Sequence, residues 1–122
     1  MSDPLGYCAK GAALHEKGDY LAALDYFGEA IRLDPQLGEA YAQRGLVWHD
    51  LGNYEAALAD YDAAIHFYPS ARTYEQRALT RQVIGDLPGA ISDYEQALAR
   101  CDDPIQIEIM HEILLALRLM LE

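Results

Sequence analysis

Three stretches of the chain carry the same series of apolar positions. Tyr20, Ala23, Leu24, Phe27, Ala30 and Ile31 recur as Tyr54, Ala57, Leu58, Tyr61, Ala64 and Ile65, and again as Leu87, Ala90, Ile91, Tyr94, Ala97 and Leu98. Within each series the spacing is i, i+3, i+4, i+7, which puts these side chains on one face of an α-helix, and strand-like alternation is absent. Gly18-Asp19, Gly52-Asn53 and Gly85-Asp86 open the three series, with the glycines 34 and 33 residues apart. Glycine adopts the left-handed conformation of a helix C-terminus at little cost, and the Asp or Asn behind it is a good N-cap for the next helix. A period of this length predicts a stack of like helix pairs. It also moves the functional question from catalysis to binding, because such stacks present a continuous surface.

The punctuation predicts seven helices, at roughly 5–17, 21–33, 38–50, 55–67, 72–84, 88–101 and 105–121. Pro35, Pro69 and Pro104 are expected to close the second helix (B) of each pair. Pro88 is tolerated in the first turn of a helix. One pair cannot bury enough apolar surface to offset the entropy of ordering its residues, so each must cover its second face with the next.

The small residues Gly11, Gly45 and Ala78 let the first helix (A) of each pair approach the second closely. Ala23, Ala57 and Ala90 do the same from the other side, and aromatic residues fill the remaining gaps. Repeat one reads Tyr7, Gly11, Leu14, Ala23, Phe27, Ala30, Pro35; repeat two reads Tyr41, Gly45, Trp48, Ala57, Tyr61, Ala64, Pro69. Repeat three supplies Tyr74, Ala78, Ala90, Tyr94 and Ala97, with Arg81 where a large apolar residue is usual and Pro104 two residues late. These residues resemble the tetratricopeptide repeat family over about residues 4–104. The resemblance implies an all-α, right-handed α-solenoid of three antiparallel helix pairs plus one capping helix. Its repeats are about 4–37, 38–70 and 71–104, with the capping helix at about 105–121, and residues 1–122 form a single domain.

Composition narrows the partners. The 122 residues are 52% hydrophobic and 24% charged, enough for a packed core. A net charge of −11 opposes non-specific binding to nucleic acid or to anionic membranes. The longest strongly apolar stretch, Ile113–Leu117, is too short to span a bilayer, and no signal peptide is visible at Met1-Ser2-Asp3-Pro4. Cys8 and Cys101 fall on distant helices, so an internal disulfide is not expected. Together these features predict a protein of the cytoplasm.

In the family the A helices line a concave groove that holds an extended peptide or a partner helix. Carried onto this chain, the resemblance implies a groove lined by Cys8, Ala12, His15, Gln43, Leu46, His49, Asp50, Arg72, Gln76, Leu79 and Gln82. One subfamily grips the C-terminal carboxylate of heat-shock chaperones with a Lys/Asn/Arg clamp. Here Cys8 and Ala12 stand where its first Lys and Asn would be, and Gln76 stands where the Arg would be. Gln43 is a partial match and Arg72 is the one cation nearby, whereas a carboxylate needs fixed cationic donors. The groove content suits a ligand with apolar side chains and room for a Lys or Arg.

Several pairings stay open at this level. Arg44 and Asp60 are 16 residues apart, as are Arg77 and Asp93: either ion pairs bridging A to B, or solvated surface charges. His15 and His49 occupy equivalent places, each followed by an acid, which reads as a metal or pH-sensitive site or as a repeated polar groove position. Cys8 has no local base to activate it. No P-loop, dinucleotide fingerprint, nucleophile elbow or zinc spacing occurs, so neither an enzyme nor a cofactor is expected.

The last helix has a polar stripe, Glu108, His111, Glu112, Arg118 and Glu122, interrupted by Leu115 and Leu119. The rest is apolar, more than one neighbour can cover. Met110, Leu115 and Leu119 are the candidates for self-association. The leading expectation is a protein–protein interaction module, an adaptor or assembly factor. The alternative is a scaffold that self-assembles, as a homodimer for example, through this helix.

Overall fold

A computed structural model of the chain describes residues 3–122. All of the regular structure in these residues is helical, with seven helices in two compact units that divide between Pro69 and Ser70. The first unit holds α1 (Pro4–Glu16), α2 (Tyr20–Leu33), α3 (Gly38–Asp50) and α4 (Tyr54–Phe67). The second holds α5 (Ala71–Val83), α6 (Leu87–Arg100) and α7 (Pro104–Met120). Each boundary falls within two residues of its sequence expectation.

The turns explain this regularity. Gly18, Gly52 and Gly85 have φ of 82°, 81° and 87°, the left-handed region that ends a helix. The residue behind each glycine closes the same six-residue ring: Asp19 N–H donates to the Leu14 carbonyl at 2.9 Å, Asn53 to Trp48 at 2.9 Å, and Asp86 to Arg81 at 2.8 Å. The side chains of Asp19, Asn53 and Asp86 then accept from the backbone N–H of Ala22, Ala56 and Gly89. One expectation needs correction. Pro104 does not close a B helix; α6 already ends at Arg100, and Pro104 is the first residue of α7 behind the capping side chain of Asp103. Proline fits there because the N–H it lacks would have had no intrahelical partner.

In the first unit α1 packs on α2, α2 on α3 and α3 on α4. Phe27 and Tyr61 are its largest fully buried side chains, and each fills the space over a glycine. A Cβ added at Gly11 would lie 2.7 Å from Phe27 Cε1, and one added at Gly45 would lie 2.7 Å from Tyr61 Cε1. In the second unit α6 packs against α5 and α7 over Ala78, Ala90, Tyr94, Ala97, Met110, Leu114 and Leu117.

Both open charge pairs are ion pairs. Arg44 grips Asp60 through two parallel hydrogen bonds of 2.8 Å, and Arg77 grips Asp93 at 3.0 and 2.7 Å. Such bidentate pairing adds geometric specificity to the charge. The Asp60 hydrogen bond holds the Arg44 guanidinium above its usual pKa, against the opposing effect of burial. Arg81, the departure in repeat three, donates a further bond of 2.8 Å to Asp93. The position is polar because it serves a buried carboxylate.

Candidate partner-binding surface

The sequence-derived groove residues fall into three groups. The first group is taken up inside the fold. Cys8 is buried in the core of the first unit beside Ala23 and Phe27, so it does not line an open surface. Position 8 is apolar enough to be covered by the neighbouring helices. Burial pushes its thiol up to about 11, and the Glu39 and Asp3 carboxylates add to that. A thiol held protonated is a poor nucleophile. Cys8 in the folded chain will therefore react with iodoacetamide at pH 8 far more slowly than the half-buried Cys101. Mass-spectrometric counting of labelled sites over time checks this, and equal rates would contradict the burial. Met110, grouped with Leu115 and Leu119 for self-association, is likewise a correction. It is 0% exposed in the second core, because it faces α6 while the two leucines face away.

The second group is engaged with itself. His15 Nε2 lies 2.6 Å from Asp50 Oδ2, which ties the end of α1 to the end of α3, and its ring rests on Tyr20. Gln43 donates to Glu39 at 2.9 Å, and the His49 ring stands edge-on to Tyr54. The repeated histidines are therefore packed against the aromatic residue that opens each following helix. Among the described residues no three His, Cys, Asp or Glu side chains are grouped to hold a metal ion. Ala12 and Leu46 are half-buried. In the second unit Gln82 is also engaged, accepting from the Tyr94 hydroxyl at 3.2 Å.

The third group comes together. Arg72, Gln76 and Leu79, on successive turns of α5, share an open cleft of about 440 Å³ with Ala71, Glu75, Cys101 and Gln106. Leu79 is 48% exposed there. Gln106, in the first turn of α7, donates to Glu75 at 2.7 Å and closes one end. The Arg72 guanidinium and the Gln76 amide have no side-chain partner among the described residues. The cleft thus offers an apolar wall and two unused sets of donors. Sequence reasoning missed Cys101 and Gln106 as lining residues. The available signal was Gln106 itself, an amide between Ile105 and Ile107 in an otherwise apolar helix start.

No helix among the described residues is long and apolar enough to cross a membrane. No curated protein matches the chain. Among solved structures it is similar to the first such repeat domain of Spaghetti (RPAP3) bound to an HSP90 peptide, at 22% identity and TM-score 0.87, over 97% of this chain and 94% of that one. It is similar to the Yersinia enterocolitica type III secretion chaperone SycD in complex with a peptide of the translocator YopD, at 21% identity and TM-score 0.89, over 100% and 98%. It also resembles the TPR2B domain of yeast Sti1 in a pHsp70 complex, at 17% identity and TM-score 0.86, over 96% and 97%. These likenesses show the fold. The tetratricopeptide repeat family model matches residues 8–72, more than half of the chain. The chain belongs to the tetratricopeptide repeat family.

Proposed function

We propose that the chain is a non-catalytic interaction module whose A helices bind a segment of a partner protein. The observation that carries this reading is the cleft on α5, where exposed Leu79 adjoins the unengaged Arg72 and Gln76. An apolar side chain of the segment enters against Leu79, and its main-chain carbonyls accept from the amide and the guanidinium. Peptides accompany the similar structures of Spaghetti and SycD, which supports a peptide ligand here. Free Cys8 and Cys101 suit a reducing compartment such as the cytoplasm.

Selection from a phage-displayed random peptide library tests the proposal. Enriched peptides should share an apolar anchor residue. Leu79→Ala should weaken them by about 1.5–2 kcal/mol, more than roughly tenfold in Kd, because the anchor loses its wall. Failure to enrich any peptide, or equal binding by wild type and Leu79→Ala, would overturn it.

A further inference from the structure

We propose that the outward face of α7 is a second docking surface, which takes a basic amphipathic helix of a partner protein. Met110, Leu114 and Leu117 turn into the core, yet large apolar side chains also stand on the opposite side. Ile105 and Ile109 form one row, 71% and 44% exposed; Leu115 and Leu119 form another, 62% and 57% exposed. An exposed apolar patch along a whole helix marks an interaction site far more often than scattered single residues do.

Charge says what covers it. Glu108 and Glu112 lie three residues on from Ile105 and Ile109, between the two apolar rows, and their carboxylates have no partner among the described residues. From Asp102 to Glu122 the acids are Asp102, Asp103, Glu108, Glu112 and Glu122, and the bases other than His111 are reduced to Arg118. Arg118 is already committed to Glu95 of α6 at 3.1 Å. A second copy of α7 would set carboxylate against carboxylate with no free base to offset them, a like-charge juxtaposition that suppresses a wrong partner. A helix with Leu or Ile on one face and Lys or Arg beside it satisfies both the apolar rows and the acids, in the usual manner of helix recognition by an apolar surface. This surface is separate from Leu79 and Gln76, so it does not depend on the cleft.

Two synthetic helical peptides probe it, with identical leucine faces and either lysine or glutamate on the polar face. Fluorescence anisotropy should show binding of the lysine peptide to the monomeric wild-type chain and none of the glutamate peptide. Glu108→Gln with Glu112→Gln, and separately Ile105→Ser with Ile109→Ser, should each weaken the lysine peptide at least about tenfold. Gln76→Ala with Leu79→Ala should leave it unchanged. The substituted α7 residues are exposed, so helix content and Tm of their variants should match wild type, which separates lost binding from lost fold. Equal binding by all variants would show attraction by the overall charge alone and overturn the proposal. So would absence of binding. So would a concentration-dependent dimer that Ile105→Ser with Ile109→Ser returns to monomer, since the occupant would then be a second copy.

Discussion

Asp93→Ala should lower the stability of the chain by about 3 kcal/mol, and Asp60→Ala by distinctly less. Asp93 is 1% exposed and receives hydrogen bonds from both Arg77 and Arg81. Removing the carboxylate takes from two guanidinium groups the acceptor they were desolvated to meet, although Arg81 keeps Asp86 at 3.9 Å. Breaking a buried pair from one side is costly because a buried charge loses its compensation, even where the intact pair contributes little. Water discounts the figure somewhat, since the Arg77 and Arg81 side chains retain 16% and 26% of their exposure. Among the described residues Asp60 has a single arginine partner, 27% exposed and freer to turn outward. Thermal unfolding followed by circular dichroism reads the difference, with a drop of roughly 10 °C for Asp93→Ala. A double-mutant cycle with Arg81→Met should give a coupling above about 1 kcal/mol. Equal losses at the two aspartates, or no coupling, would contradict the two-arginine arrangement.

Gly45→Ala should destabilise by about 2 kcal/mol, while Gly28→Ala should stabilise by about 0.5–1 kcal/mol. Both glycines lie inside helices, so both substitutions gain the same helix propensity. They differ in what the new methyl meets. At Gly28 nothing lies within 4 Å. At Gly45 the Cβ would lie 2.7 Å from Cε1 and 2.9 Å from Cδ1 of Tyr61, a ring that is itself 0% exposed and has nowhere to swing. Overpacking of a closed core then exceeds the propensity gain. Chemical denaturation of the two variants side by side decides the matter, and the same sign for both would contradict the close approach of α3 to α4.

The turn glycines and the apolar series made the helices legible, because helix ends and helix faces are local properties. The pairing of Arg44 with Asp60 followed from the same period, but whether they touch depends on how closely two helices approach. Arg81 read as an anomaly because its reason lies on another helix, in a carboxylate already held by Arg77. Periodicity assigns a residue to a side of its own helix, and the neighbours decide which sides are covered. That is why Cys8 and Met110 are core residues, while Leu115 and Leu119 stand exposed. The cleft was half legible. Arg72, Gln76 and Leu79 follow from one helix, but Gln106 joins them only through the start of α7, which no local pattern places beside Glu75.

The most direct test of the central claim is hydrogen-exchange mass spectrometry of the chain with and without a library-selected peptide. If the A-helix surface is the binding site, protection should rise in α5 around Arg72–Leu79 and at the first turn of α7 around Gln106. Protection confined to other segments, or none at saturating peptide, would contradict the assignment of the site.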